Sequence, residues 1–240
     1  MTSMVHESKS QEEIQSGVRL WARKQVISLL ITAAILFLSA GRLDWGMGWL
    51  FMAAYIAVVI AQAVILIPRN PGLLAERSRV QKGSKSWDLW LTAMAVIILP
   101  MLSWIIAGLD FRNGWTEPMT LWTQLAAVAI FLLAYGFIIW AMTSNPFFSA
   151  TIRLQEDRKQ RVVASGPYAW MRHPGYLGTI LFQTSTPIVL GSLWALIPAL
   201  IASVLMVIRT ALEDKTLRAE LKGYEKYAQR VRYRLLPGIW

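Results

Sequence analysis

Charged residues cut this chain into long apolar runs joined by short polar ones. Residues 25–41 (QVISLLITAAILFLSAG) form the first run, and the RLD triplet at 42–44 turns it into a second at 45–68. A third covers 89–109, and a fourth lies within 118–152, chiefly MTLWTQLAAVAIFLLAYGFIIWAM. A helix needs about 20 apolar residues to cross roughly 30 Å of hydrocarbon. The first run is short and the other three suffice, so the pattern predicts four transmembrane helices.

The last run, 173–208, has 36 residues, too many for one straight span and few for two. Pro187, Gly191 and Pro198 interrupt it, and Gln183-Thr184-Ser185-Thr186 makes its first half polar. Broken apolar segments are tolerated in a membrane only where protein or a cavity covers their polar backbone. A tight helical hairpin over 175–208 that lines something is therefore expected.

Around it, residues 143–165 begin aromatic and turn charged, like a segment leaving along the membrane surface. Residues 209–230 read as a cytoplasmic helix continuing from the hairpin. Glu213, Leu217, Glu220, Tyr224 and Tyr227 recur there at spacings of three and four and share a face. The closing VRYRLLPGIW has an apolar end suited to docking back onto the membrane. The predicted class is all-α integral membrane, with a scaffold over 1–142 and a functional region over 143–240.

Composition agrees. The 240 residues are 55% hydrophobic and 16% charged, whereas soluble domains carry nearer a quarter charged. There is no cysteine, which excludes disulfides, thiolate metal sites and a cysteine nucleophile. Two histidines, His6 and His173, leave little material for a metal site.

The net charge of +10 is placed by topology and not by nucleic acid. Segments 1–24, 68–86, 143–174 and 209–240 hold 22 of the 24 Lys and Arg, leaving Arg42 and Arg112 for the opposite side. That asymmetry puts both termini in the cytoplasm. Leu38-Ser39-Ala40 resembles a signal cleavage site, but the long preceding region with three glutamates argues against removal.

The stretch GPYAWMRHPGYLG, 166–178, concentrates the candidate chemistry. Singly, its residues have plain explanations: Arg172 as a lipid-phosphate or interface anchor, His173 as a cap, Pro174 as a first-turn helix residue. Glu213 and Asp214 have one too, as solvated partners of Arg209 and Arg218 at i,i+4. Together they offer more. Glycines allow close backbone approach and prolines stiffen the turns, around a cation, an imidazole and aromatic faces. The chain beyond the hairpin must return Glu213 and Asp214 to the same membrane edge. Carboxylates opposite aromatic faces suit a cationic nucleoside sulfonium.

RHPGYLG at 172–178, the Glu213-Asp214 pair and GYEKYAQRVRYRLLP at 223–237 resemble the isoprenylcysteine carboxyl methyltransferase and phospholipid methyltransferase superfamily of integral membrane enzymes. NPFFSATIRLQEDRKQRVVASGPY, 145–168, resembles its bacterial members, which implies a bacterial inner membrane. The likeness covers roughly 143–240. It implies methyl transfer from S-adenosylmethionine to a lipophilic or small membrane-accessible acceptor, whether carboxylate, thiol or amine.

By the same resemblance Tyr168, Arg172, His173, Pro174, Tyr176 and Gly178 belong to the cofactor loop, with Glu213 and Asp214 as acidic partners. His173, Arg172 and Glu213 are the candidates for catalysis. At 214 this chain has Asp where the pattern usually has Glu. Sterol-type NADPH reductases carry a related Arg-His-Pro-x-Tyr stretch, but a 2′-phosphate would prefer a basic patch to an acidic pair. A non-enzymatic membrane scaffold is the other alternative, and a transporter is disfavoured by the nearly charge-free first four spans.

Overall fold

A computed structural model describes residues 2–81 and 83–240, those before Gln11 as backbone only, so the side chain of His6 lies outside the described residues. It is helical throughout: α1 Thr2–Ala40, α2 Gly46–Arg69, α3 Pro71–Arg77, α4 Ser86–Thr92, α5 Leu99–Asn113, α6 Leu121–Ser144, α7 Pro174–Val189, α8 Leu196–Glu220 and α9 Tyr224–Arg230. A π-helical turn, Ala93–Ile98, joins α4 to α5 without a break. Five stretches are long and apolar enough to cross a membrane: Gln11–Ala40, Gly46–Arg69, Ser86–Asn113, Leu121–Ser144 and Leu196–Glu220. The four expected spans are there. The fifth is α8, the longer arm of the hairpin expected at 175–208.

That hairpin is asymmetric. α7 has 16 residues, roughly 24 Å at 1.5 Å per residue, while α8 has 25. Its tip nevertheless reaches the far end of the bundle. Ser192 Oγ donates to Asp110 Oδ2 at 2.5 Å, Thr116 Oγ1 accepts from Leu193 N at 3.1 Å, and Gln124 Nε2 donates to Val189 O at 3.2 Å. Asp110, at the end of α5, also accepts from Thr116 N and Oγ1. One buried carboxylate thus fastens the hairpin tip to the α5–α6 connection.

A core of Leu36, Phe37, Phe51, Phe131 and Val189 packs α1, α2, α6 and α7 together. Leu30, Val64, Leu133 and Val204 stay exposed on the outside of their helices, as lipid-facing side chains do. The polar stretch of α7 finds partners for its hydroxyls and for the Gln183 amide N–H, while Gln183 Oε1 is buried without a hydrogen-bond partner among the described residues. Thr184 and Thr186 donate to carbonyls one turn back, and Gln183 Nε2 donates to Ala95 O at 2.6 Å inside the π-turn. With Pro100, Ser103 and Trp104, Gln183 and Thr186 border only a small gap, so this stretch faces packed protein.

The continuous helix expected over 209–230 is broken. α8 stops at Glu220 and α9 starts at Tyr224, because Gly223 takes a left-handed φ of 87° that reverses the chain between them. Gly178 has a different task. It is buried where α7 meets α6, and a Cβ there would stand 2.6 Å from Ile138 Cγ1 and 2.9 Å from Ala134 O. Gly178→Ala is expected to lower stability by about 1–3 kcal/mol through overpacking. A lowered thermal midpoint in detergent would show it.

Candidate functional site

α6 ends at Ser144, and the chain then runs over one end of the bundle through turns at Glu156–Arg158 and Gly166–Ala169 before Pro174 opens α7. Proline suits that first helical position because its missing N–H has no partner to lose there. The turn before it is fixed from outside. The backbone N–H groups of Arg172 and His173 donate to Tyr233 O at 3.0 Å and Arg234 O at 2.9 Å, so the C-terminal tail lies alongside the Arg-His pair.

Beneath this turn sits Asp214, wholly buried on α8. Arg172 grips it with two N–H groups, Nε to Oδ1 at 2.6 Å and Nη2 to Oδ2 at 3.1 Å. Arg218 Nε and Arg234 Nε donate to Oδ2 at 3.2 and 3.1 Å, and Tyr224 OH donates to Oδ1 at 3.0 Å. The remaining Arg172 nitrogen, Nη1, donates to Val231 O and Arg232 O, both at 2.7 Å. Four chain segments are thereby pinned to one carboxylate. Of the i,i+4 pairs considered in the sequence, Asp214–Arg218 forms, whereas Arg209 turns to Asp88.

His173 stands beside this cluster. Its Nε2 is 3.4 Å from Asp214 Oδ1 and 3.3 Å from Tyr224 OH, and its Nδ1 is 3.8 Å from Glu213 Oε2. Its ring stacks on Tyr176 with centroids 5.7 Å apart and planes 3° from parallel. The other partner of Tyr176 is Arg209, whose guanidinium lies 4.9 Å from the ring centroid, a cation–π arrangement.

Several of these residues border a partly open cleft at this end of the bundle. Tyr168, Arg172, His173, Tyr176 and Glu213 line it, together with Phe147, Phe148, Leu217, Tyr224 and Tyr227. Among the described residues Glu213 is its one carboxylate, and Arg153 and Arg161 are further cations on its wall. Of the other expected site residues, Pro174 starts α7, Asp214 supports the wall from behind and Gly178 lies at the helix contact; none of the three borders the cleft. Burial pushes the Tyr168, Tyr224 and Tyr227 phenols above their ordinary value. They stay protonated, so Tyr224 keeps donating to Asp214 and Tyr227 to Tyr168 O.

Sequence reading missed the partners supplied by residues 76–88. Asp88, wholly buried, pairs with Arg209 at 2.6 Å, and Arg153 pairs with Glu76 at 2.8 Å. One signal was available: Asp88 is the only carboxylate between Glu76 and Asp110, at the very edge of an apolar span. Acids so placed are costly and need a partner.

Residues 127–219 match the model of the isoprenylcysteine carboxyl methyltransferase (ICMT) family, a family of membrane methyltransferases that use S-adenosylmethionine as methyl donor. The resemblance read from the sequence is borne out over that segment, which contains all eight expected site residues. Comparison with curated proteins gave no match. Removing one member of a buried ion pair costs about 3–5 kcal/mol. Asp214→Ala, which strands Arg172, is therefore expected to lower the thermal midpoint far more than Glu213→Ala at the half-open cleft wall.

Proposed function

We propose that this membrane protein transfers the methyl group of S-adenosylmethionine to a lipophilic or small membrane-accessible acceptor, with the cleft as cofactor site. The observation that carries this reading is the convergence of Tyr168, Arg172, His173, Tyr176 and Glu213 on one cleft, inside the segment that matches the family. The donor set fits such a cofactor. Tyrosine faces suit adenine and a sulfonium, the Glu213 carboxylate suits ribose hydroxyls or the amine, and Arg161 suits the carboxylate. The cleft lies at the same end as Arg77, Lys85, Arg153, Arg172 and Arg209. By the positive-inside rule, this distribution supports a cytoplasmic-edge position for the cleft.

When bound, the cofactor supplies a methyl group already activated by its sulfonium charge. The chain's own work is to align an acceptor and keep water out. Four of the five side-chain N–H groups of Arg172 go to Asp214 and to two carbonyls, so its main part is to hold the Arg-His turn. His173 and Glu213 are the groups that face the cleft and can take a proton. A carboxylate or thiolate acceptor needs no base, whereas an amine or hydroxyl would give its proton to one of them.

Calorimetry on detergent-purified protein tests the reading by comparing S-adenosylhomocysteine with NADPH. Selective binding of S-adenosylhomocysteine is expected, weakened roughly tenfold or more in His173→Ala if that ring helps to form the site. Selective NADPH binding, or binding of neither ligand to folded protein, would overturn it.

A further inference from the structure

The wall of the cleft opposite the Arg-His turn is the strap 149–153, and each of its residues is fastened to something outside it. Ser149 O accepts from Arg77 Nη1 at 3.0 Å, and Ala150 O accepts from Arg209 Nη2 at 3.0 Å. Thr151 Oγ1 bonds Ser84 Oγ at 2.8 Å, and Ile152 O accepts from Lys85 N at 3.0 Å. Ile152 N donates to Asp88 Oδ2 at 2.7 Å, and Arg153 donates to Glu76. Apart from Arg209 and Asp157, which Arg153 also reaches at 2.8 Å, these partners come from residues 76–88, outside the segment that matches the family.

Asp88 is the centre of this arrangement. Its Oδ1 accepts from Arg209 Nε at 2.6 Å, while Oδ2 accepts from both Arg209 Nη2 and Ile152 N. One carboxylate therefore sets the strap on one side and, through Arg209, the ring of Tyr176 on the other. Ser149, Thr151, Ile152, Arg153 and Tyr176 all line the cleft. A buried pair between α4 and α8 that only held helices together would have no reason to engage the strap at Ile152 and Ala150 as well.

We infer that Asp88 is a positioning residue of the cofactor cleft: with Arg209 it holds the 149–153 strap and the Tyr176 ring at the separation that admits the ligand. The inference rests on the cofactor reading above for the ligand's identity, and on the hydrogen bonds alone for the strap.

The test replaces the ion pair by apolar side chains, Asp88→Leu with Arg209→Met. Such exchanges are often neutral for stability because two buried charges are removed together. The thermal midpoint is expected to stay near that of the wild type. Affinity for S-adenosylhomocysteine is expected to fall roughly tenfold or more, and amide exchange across 149–153 in the ligand-free protein to accelerate. Unchanged affinity with unchanged exchange overturns the inference.

If the double variant does not fold, Asp88→Glu keeps the charge while lengthening the side chain against Ile152. The same affinity loss with the midpoint held supports the inference, and wild-type affinity overturns it. Should the wild type bind no S-adenosylhomocysteine, the cofactor reading falls, and the exchange measurement still decides whether Asp88 holds the strap.

Discussion

A carboxylate taken fully out of water costs several kcal/mol unless cations and donors surround it, and Asp214 is such a carboxylate. It is met by Arg172 from the turn before α7, Arg218 from its own helix, Arg234 from the C-terminal tail and Tyr224 from α9. Arg172 lies 42 residues before Asp214, while Arg218, Tyr224 and Arg234 follow it by 4, 10 and 20 residues across a chain reversal, and each helps to satisfy the charge. The demand fixes where α8 ends, why the chain turns back at Gly223 and why the tail lies beside the Arg-His pair. A shorter acid suits the position. The aspartate keeps its oxygens close to α8, where Arg172 can take both.

A second buried carboxylate does comparable work at the opposite end. Asp110 has no cation among the described residues and accepts from the Thr116 N–H and from the hydroxyls of Thr116 and Ser192. The α7–α8 hairpin is thereby held at its tip by neutral donors and at its base by guanidiniums. That polarity matches the bundle, since the basic residues concentrate at the base. Between these ends α7 packs closely on α6 through Gly178, so the residues facing the cleft stand on a rigid element.

The apolar runs were legible because their length and lack of charge admit little besides membrane helices. The hairpin was legible as well, although its arms proved unequal, with only α8 long enough to count as a span. Charge inside the helix 209–230 hid its interruption at Gly223, since the period of three and four continues across the break. For the site, RHPGYLG and Glu213 pointed to the right end of the molecule, because chemistry-bearing residues cluster there in sequence. Asp88, Glu76 and Arg77 were not legible as wall-builders. Their partners across the wall lie 64 to 121 residues away, and a single sequence does not print such pairings. Asp214 drew notice as a ligand group, yet its role is read only from the three guanidiniums that converge on it.

Residues 76–88 and the matched segment therefore meet at the cleft, the first fastening one wall and the second supplying most of the residues that line it; the proposal is that S-adenosylmethionine binds there. The most direct measurement of that claim is ultraviolet crosslinking of methyl-tritiated S-adenosylmethionine to the detergent-purified protein, followed by peptide mapping. A cofactor cleft predicts label on peptides within 145–178 or 213–227, displaced by S-adenosylhomocysteine. Label confined to other peptides, or label that S-adenosylhomocysteine fails to displace, would contradict it.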